Sequence, residues 1–519
     1  MESTGHPHPA EDKRFLYSLP GVLVAVAVYA LVHVAARLFA SGNLGEDDPL
    51  ENLVIQTLAA GYGIDKGPLY DWALWLLQQF MGTGVHAFLV LKYGLLVAMA
   101  GWLFLIARRV TGSALWGFMA VDAMALVYQI FWRFHEGFTH RVGAIALAIA
   151  TVWALFRLVD RGRRRDYLLF GLLAGLGLLS EHSYAVLLFA LFAAAALQPA
   201  IRRQVYAPAM LAAVAVAAVV MTPYVAWLLA EPTRLDAFVA GLVTVTAEHT
   251  PANLLQALVD PLTFPVLVLA PYVFILPLVF PGVLKAILRR SPLRPATGVA
   301  ADLEQFILHV LLIEITWLVL FDAVLLPRAD YAVHSLLPMF AIALVWLTEK
   351  TRQSLPSPRR IQVFVAIMLT LTVVAFIGRA ANMYVLDPVC KKCRWGIPYA
   401  ELADQMRERG FRDGTIVIDE EELGGNLRRF FPEARFVLTD RGGIVPPETP
   451  RSRAGQTAIV WLAKKDSLAM PARLLAWLPP AARSAAAEPV KVPWHHLWKP
   501  VGYRHSNWAI VILGPTQGQ

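Results

Sequence analysis

Glu46, Asp47 and Asp48 stand in a row with a fourth acid at Glu51, in a chain of which only 16% of residues are charged. Asp65, Lys66 and Asp71 follow. Further on, unlike polar residues recur in small groups: Arg133, His135, Glu136, His140 and Arg141; Glu181 and His182; Arg328, Asp330 and His334. Any one of these reads equally well as a solvated loop charge. As a set they describe a chemistry. A carboxylate takes the proton from a hydroxyl or amine nucleophile as general base. Lys or Arg holds a phosphate and stabilises the charge that develops as it leaves. Carboxylates beside a few cations therefore suit transfer of a group from a lipid phosphate, and the acid cluster suits cation binding equally.

The elements that carry these residues follow from composition. The 519 residues are 57% hydrophobic, with a mean hydropathy of +0.54. Runs of about 17–25 apolar residues recur, the length that crosses a hydrocarbon core of roughly 30 Å. The chain reads as a polytopic α-helical membrane protein of about 11 transmembrane segments, near 15–40, 86–107, 113–131, 141–159, 167–181, 183–199, 206–230, 262–283, 306–326, 333–348 and 361–379. The net charge of +8 does not indicate nucleic acid, because the basic residues cluster in short loops between apolar runs and act as topology signals. Clusters such as Arg108–Arg109, Arg161 with Arg163–Arg165, and Arg202–Arg203 mark the cytoplasmic side. The acidic run and the mixed polar groups then fall on the outer side. No cleavable signal peptide is evident, since the first apolar run is too long for one.

Three regions follow: a cytoplasmic tail over 1–14, a multi-span catalytic region over 15–384 with an outer loop at 41–85, and a soluble extracytoplasmic α/β domain over 385–519. The stretch 166–203 has basic residues at both ends but too few residues for two full crossings. Two short helices meeting at Ser180–Tyr184 fit it, and irregular backbone at membrane depth must line protein or a wet cavity. The glycines of "GLLAGLGLL" read as small-residue helix packing, and "EEELGGNLRR" as loop and cap. The only cysteines, Cys390 and Cys393, favour a local disulfide outside the cytoplasm. Free thiols are the first alternative, and a metal site, which needs two more ligands, is a distant third.

The segment "DDPLENLVIQTLAAGYGIDKGPLYDW" resembles the first outer loop of bacterial membrane glycosyltransferases of the family 39 type, which include protein mannosyltransferases and the aminoarabinose transferase of lipid A modification. The resemblance extends to "FHEGFTHRV", "LLSEHSYAVLL" and "RADYAVHSLLP", and to the tail from "CKKCRWGIPYAELA" onward. It implies a GT-C-like fold, a polyprenyl phosphate sugar donor and inversion at the anomeric centre. It implies Asp47 as catalytic general base, with Asp48 and Glu51 in support. The expected substrate contacts are Lys66 on the donor phosphate, Tyr70, His135, Glu136, His140, Glu181, His182, Arg328 and His334. Three positions depart from the family pattern: Gly67 replaces a second proline, Glu181 stands where a basic residue is frequent, and the basic residue of the loop between the ninth and tenth spans is replaced around His334.

The leading expectation is thus an integral glycosyltransferase at the outer face of the bacterial cytoplasmic membrane. Its partners are a polyprenyl phosphate sugar, an acceptor the sequence does not specify and membrane lipids, without nucleic acid. No cofactor is required, though the acids are compatible with a divalent cation. A flippase of a lipid-linked saccharide is the first alternative; it calls for internal repeats and midspan charges, and Glu314 is the clearest such charge. A catalytically inactive GT-C-like scaffold is the second.

Overall fold

The computed structural model describes residues 14–64, 66–137, 139–243, 250–289, 302–325, 339–390, 393–440, 443–463, 467–478, 483, 486–496 and 498–514. Arg328, Asp330, His334 and Asp65 lie outside these. The helices are α1 (Leu19–Ala40), α2 (Asp48–Val54), α3 (Leu69–Met81), α4 (Val85–Thr111), α5 (Ala114–Met124), α6 (Phe134–Gly137), α7 (His140–Arg161), α8 (Arg164–Ser180), α9 (Tyr184–Ala196), α10 (Pro199–Val205), α11 (Met210–Leu229), α12 (Pro232–Val243), α13 (Pro251–Val268), α14 (Tyr272–Val279), α15 (Gly282–Leu288), α16 (Leu303–Leu325), α17 (Met339–Gln353), α18 (Pro358–Ala381), α19 (Tyr399–Glu408), α20 (Glu421–Leu427), α21 (Pro450–Ala454) and α22 (Ala472–Leu475). Among the described residues, seven helices are long and apolar enough to cross a membrane, and the shorter α5 and α9 are apolar too. The chain is a multi-pass membrane protein.

The chain divides into two compact units. The first, 1–31, 60–70 and 93–375, is the helical bundle. Within it α8 packs along α7 and α11. The glycines of "GLLAGLGLL" permit this approach: a Cβ on Gly171 would sit 2.2 Å from the Ala213 carbonyl oxygen, and one on Gly175 would sit 3.0 Å from Ala217 Cα. The two short helices expected over 166–203 are α8 and α9, which end and begin at Ser180 and Tyr184. The segment anticipated as one span at 262–283 is instead two helices, α13 and α14, parted at Leu269–Pro271. There the Ala270 carbonyl accepts the Tyr128 N–H at 2.9 Å, so the break serves as a docking edge.

The second unit, 32–59, 71–92 and 376–519, joins the first loop to the C-terminal domain. Its five-stranded sheet has the order β2 (Arg435–Leu438), β1 (Gly414–Ile418), β3 (Gln456–Leu462), β5 (His505–Leu513), β4 (Glu488–Pro493). β1 runs parallel to β2 and β3, and β5 is antiparallel to both β3 and β4. Strand residues alternate between two cores, as the two-residue period of a strand requires. Ile416, Ile418, Phe436 and Val460 face the core that also buries α19 and α20. Val417, Val437, Ile459 and Trp461 face the other. The "EEELGGNLRR" stretch, expected as loop and cap, is largely helix, because α20 takes in both glycines. Its partner explains this: Leu53 of α2 belongs to the same core, with Leu50 packed against it.

Candidate active site

In the second unit the acidic loop is built onto the sheet domain. Arg37, in the last turn of α1, folds onto the carbonyls of Ser41 and Asn43, and its guanidinium lies 4.2 Å from the Trp395 ring centroid. The Leu44 N–H donates to Asn426 Oδ1 at 2.8 Å, and Asn426 Nδ2 returns a bond to the Leu44 carbonyl at 3.2 Å. α2 then lies flat on α20. A Cβ on Gly425 would come 2.2 Å from the Pro49 carbonyl oxygen, a separation no side chain tolerates. Buried Arg428 donates from Nη1 to Asn52 Oδ1 at 2.9 Å and to Gln78 Oε1 at 3.1 Å, tying α2, α3 and α20 together. Gln56 exchanges two bonds with the backbone of Phe436, at 3.0 and 2.8 Å, as an added strand residue would.

This clamp sorts the acids. Asp47, the residue before α2, is exposed, and so is Glu46. Asp48 and Glu51 are buried, as is Asp71. Asp48 faces Lys92 of α4, with the nearest carboxylate oxygen 3.9 Å from Nζ. Burial pushes the Asp48 carboxyl up to about 6, against the pull of Lys92 and Arg37, with Asp47 and Glu51 adding to the rise. Lys92 is itself within electrostatic reach of Arg37 and Arg379. Three buried cations therefore underlie the acid loop, and motif reading missed all three as site residues. Their signal was present: a basic residue inside an apolar run is costly, and one that is kept has a partner.

In the first unit a second cluster surrounds the hinge between α8 and α9. A Cβ on Gly67 would lie 2.0 Å from the Leu179 carbonyl oxygen, so the segment after Lys66 is seated on hinge backbone. Gly67 and Glu181, two of the departures from the family pattern, are thus neighbours. Glu181 is half-buried, and its Oε2 has no hydrogen-bond partner among the described residues. Arg141, His140 and Lys66 lie within its electrostatic reach. His140 is buried, its carbonyl accepts from Ser180 Oγ at 3.2 Å, and its ring lies 5.2 Å from that of Tyr70. Lys66 is exposed. His182 Nε2 meets the Tyr224 hydroxyl at 3.1 Å. The two nitrogens of buried His135 each meet a tyrosine hydroxyl at 2.7 Å, from Tyr29 and Tyr93. A neutral imidazole has one donor and one acceptor nitrogen, so one tyrosine accepts and the other donates. Glu136 lies in α6.

Comparison with known proteins agrees with this architecture. Residues 65–227 match the family model of dolichyl-phosphate-mannose-protein mannosyltransferase. Two lipopolysaccharide core galacturonosyltransferases of Rhizobium johnstonii are similar over most of their length. RgtA is 25% identical over 86% of this chain and 87% of its own. RgtB is 24% identical over 90% and 92% respectively. The fold matches ArnT from Cupriavidus metallidurans, solved bound to undecaprenyl phosphate, with a TM-score of 0.51, 12% identity and coverage of 95% and 98% of the two chains. The chain shares the fold of that structure over nearly its whole length, and its residues 65–227 resemble the mannosyltransferase family model.

Proposed function

We propose that the chain is an inverting glycosyltransferase that moves a sugar from a polyprenyl phosphate to a hydroxyl of a lipopolysaccharide core acceptor, at the outer face of the cytoplasmic membrane. The observation that carries this reading is the sorting of the acid loop: Asp47 is exposed beside an Asp48 that is buried against Lys92. In this reading Asp47 takes the proton from the acceptor hydroxyl as its oxygen attacks the anomeric carbon. The bond from that carbon to the phosphate oxygen breaks, and polyprenyl phosphate leaves with the electron pair. Asp48 and Glu51 hold the loop, and Lys66 meets the donor phosphate. His140, His182, Tyr70 and Glu181 stand along the donor's headgroup. The two Rhizobium relatives support a uronic acid as the sugar and a core oligosaccharide as the acceptor.

The test is turnover by Asp47→Asn with a polyprenyl phosphate galacturonic acid donor. Loss of a general base lowers rate by about 100-fold or more, and the melting temperature of the variant separates lost chemistry from lost folding. Undiminished transfer by Asp47→Asn overturns the assignment. Because the leaving phosphate is met by cations of the chain itself, transfer in this reading needs no divalent ion. Turnover in excess chelator is expected to match turnover in magnesium.

A further inference from the structure

A second built site lies in the second unit. Asp387 follows the last turn of the final membrane helix, and its side chain is almost fully buried. Its Oδ1 accepts the Trp395 N–H at 3.0 Å, and its Oδ2 lies 3.1 Å from Nδ1 of His496. The His496 side chain is 1% exposed. A carboxylate only accepts hydrogen bonds, so Nδ1 carries a proton, and in the neutral imidazole Nε2 is then a lone-pair acceptor. Nε2 is buried and has no hydrogen-bond partner among the described residues. A buried polar atom without a partner is costly.

The dyad lines a cavity of about 160 Å³ shared with Phe39, Met383, Tyr384 and Trp395. This is smaller than the ~300–1,000 Å³ of pockets for drug-sized ligands, and it suits a single headgroup. The surroundings are held firmly. Arg504 donates to the carbonyls of Asp387 and Cys390 at 2.9 and 3.0 Å. Cys390 is disulfide-bonded to Cys393. The Trp395 carbonyl accepts from Ser41 Oγ at 2.7 Å. Gly396 is fitted to the dyad, for a Cβ there would come 2.8 Å from Asp387 Oδ2 and 3.2 Å from His496 Nδ1.

The cavity's depth is set by its walls. Phe39 and Ala40 end α1, and Met383 and Tyr384 lie in the turn that ends the last span. Around it Phe39, Leu386, Val389, Trp498, Val501 and Tyr503 are all strongly exposed. Lys499 lies over the rings of Trp498 and Tyr503, and Trp498 Nε1 donates to the Val385 carbonyl at 2.9 Å. Exposed aromatics with a snorkelling lysine at span ends are the composition of a membrane–water interface.

We propose that the His496–Asp387 cavity binds the hydroxylated headgroup of a membrane lipid, with Nε2 of His496 accepting a hydrogen bond from one of its hydroxyls. The acyl chains then follow the apolar surface beside Phe39 and Leu386. A ring of C–H and O–H faces, as in a glycosyl headgroup, matches an aromatic wall beside an imidazole acceptor. This site adjoins the acid loop through Trp395, whose ring packs against Gly45, and its occupancy does not depend on transfer.

The experiment measures lipid retention by the full-length protein in native mass spectrometry, after exposure to monoglucosyl diacylglycerol in phosphatidylcholine nanodiscs. Retention of the glucosyl lipid in preference to its peracetylated form, which has no hydroxyl donor, is the expected result with the wild-type chain. His496→Asn keeps an N–H within reach of Asp387 and removes the Nε2 acceptor. It is expected to weaken glucosyl-lipid binding by about tenfold, the scale of one lost hydrogen bond, while phosphatidylcholine retention is unchanged. Equal retention of the free-hydroxyl and peracetylated lipids by the wild-type chain overturns the proposal whatever the variant does. Competition by soluble methyl glucoside at equal concentration overturns the assignment to a lipid. His496→Asn that binds as the wild type does and only lowers the melting temperature makes the dyad purely structural, and that also overturns it.

Discussion

Asp47 and Asp48 are adjacent in the chain and opposite in environment. One faces solvent, while the other is packed beneath it against Lys92. The consequence is testable through pH. Burial raises the Asp48 carboxyl from its ordinary value of 3.8 to about 6 in the folded chain. The folded state thus holds this proton more tightly than the unfolded state does. Stability from Asp48 is fully present below about pH 4 and is lost as pH rises through about 6, a difference worth about 3 kcal/mol. Melting temperature measured from pH 4 to 7 should fall across that window in the wild type. It should fall less in Asp48→Asn, which cannot ionise. Equal slopes in the two proteins would show that Asp48 does not carry the effect. The acid cluster was legible in the sequence as a cluster. Which acid is exposed was not, because that is decided by α20, more than 370 positions away in the chain.

At the scale of elements, glycine decides how closely segments approach. Gly67 and Glu181 looked in the sequence like two separate departures from a family pattern. The structure makes them one local arrangement, since Gly67 rests on the Leu179 carbonyl, at the end of the helix that leads to Glu181. A side chain at 67 displaces hinge backbone rather than a flexible side-chain end. Gly67→Ala is expected to cost about 1–3 kcal/mol, the range for overpacking. Gly67→Pro, the residue of the family pattern, should cost at least as much. Chemical denaturation should show both losses, and transfer should fall along with them because the contacts of Lys66 and Glu181 shift. A stable, active Gly67→Pro would mean that the hinge yields easily. The helix pair α8–α9 was legible from charge at both ends of a stretch too short for two crossings. The break between α13 and α14 had one local signal, Pro271, which has no N–H to continue a helix, but the Tyr128 backbone contact that uses the break lies on a distant segment and left no mark in the sequence.

At the scale of the molecule, composition and apolar runs gave a polytopic helical protein, and alternating short patterns after the last span gave an α/β domain. Neither pattern could show that the first loop belongs to that domain's core. No periodicity records that Leu53 completes a cluster with Ile416, Leu427 and Phe436, or that Gln56 pairs with the β2 backbone. The joint is polar and buried at Arg428, whose guanidinium meets Asn52 and Gln78. Removing one partner from such a network leaves the others unsatisfied, at about 1–3 kcal/mol for each group. The loop and the sheet should therefore open together. In hydrogen–deuterium exchange on the full chain, the Leu44 amide, bonded to Asn426 Oδ1, should exchange at the same slow rate as the amides of β1. Arg428→Met should speed both to a similar degree, and lower transfer, because Asp47 is then held by a loop without its clamp. Fast exchange at Leu44 beside a protected β1 would show that the acid loop moves independently of the domain and that α20 does not position it.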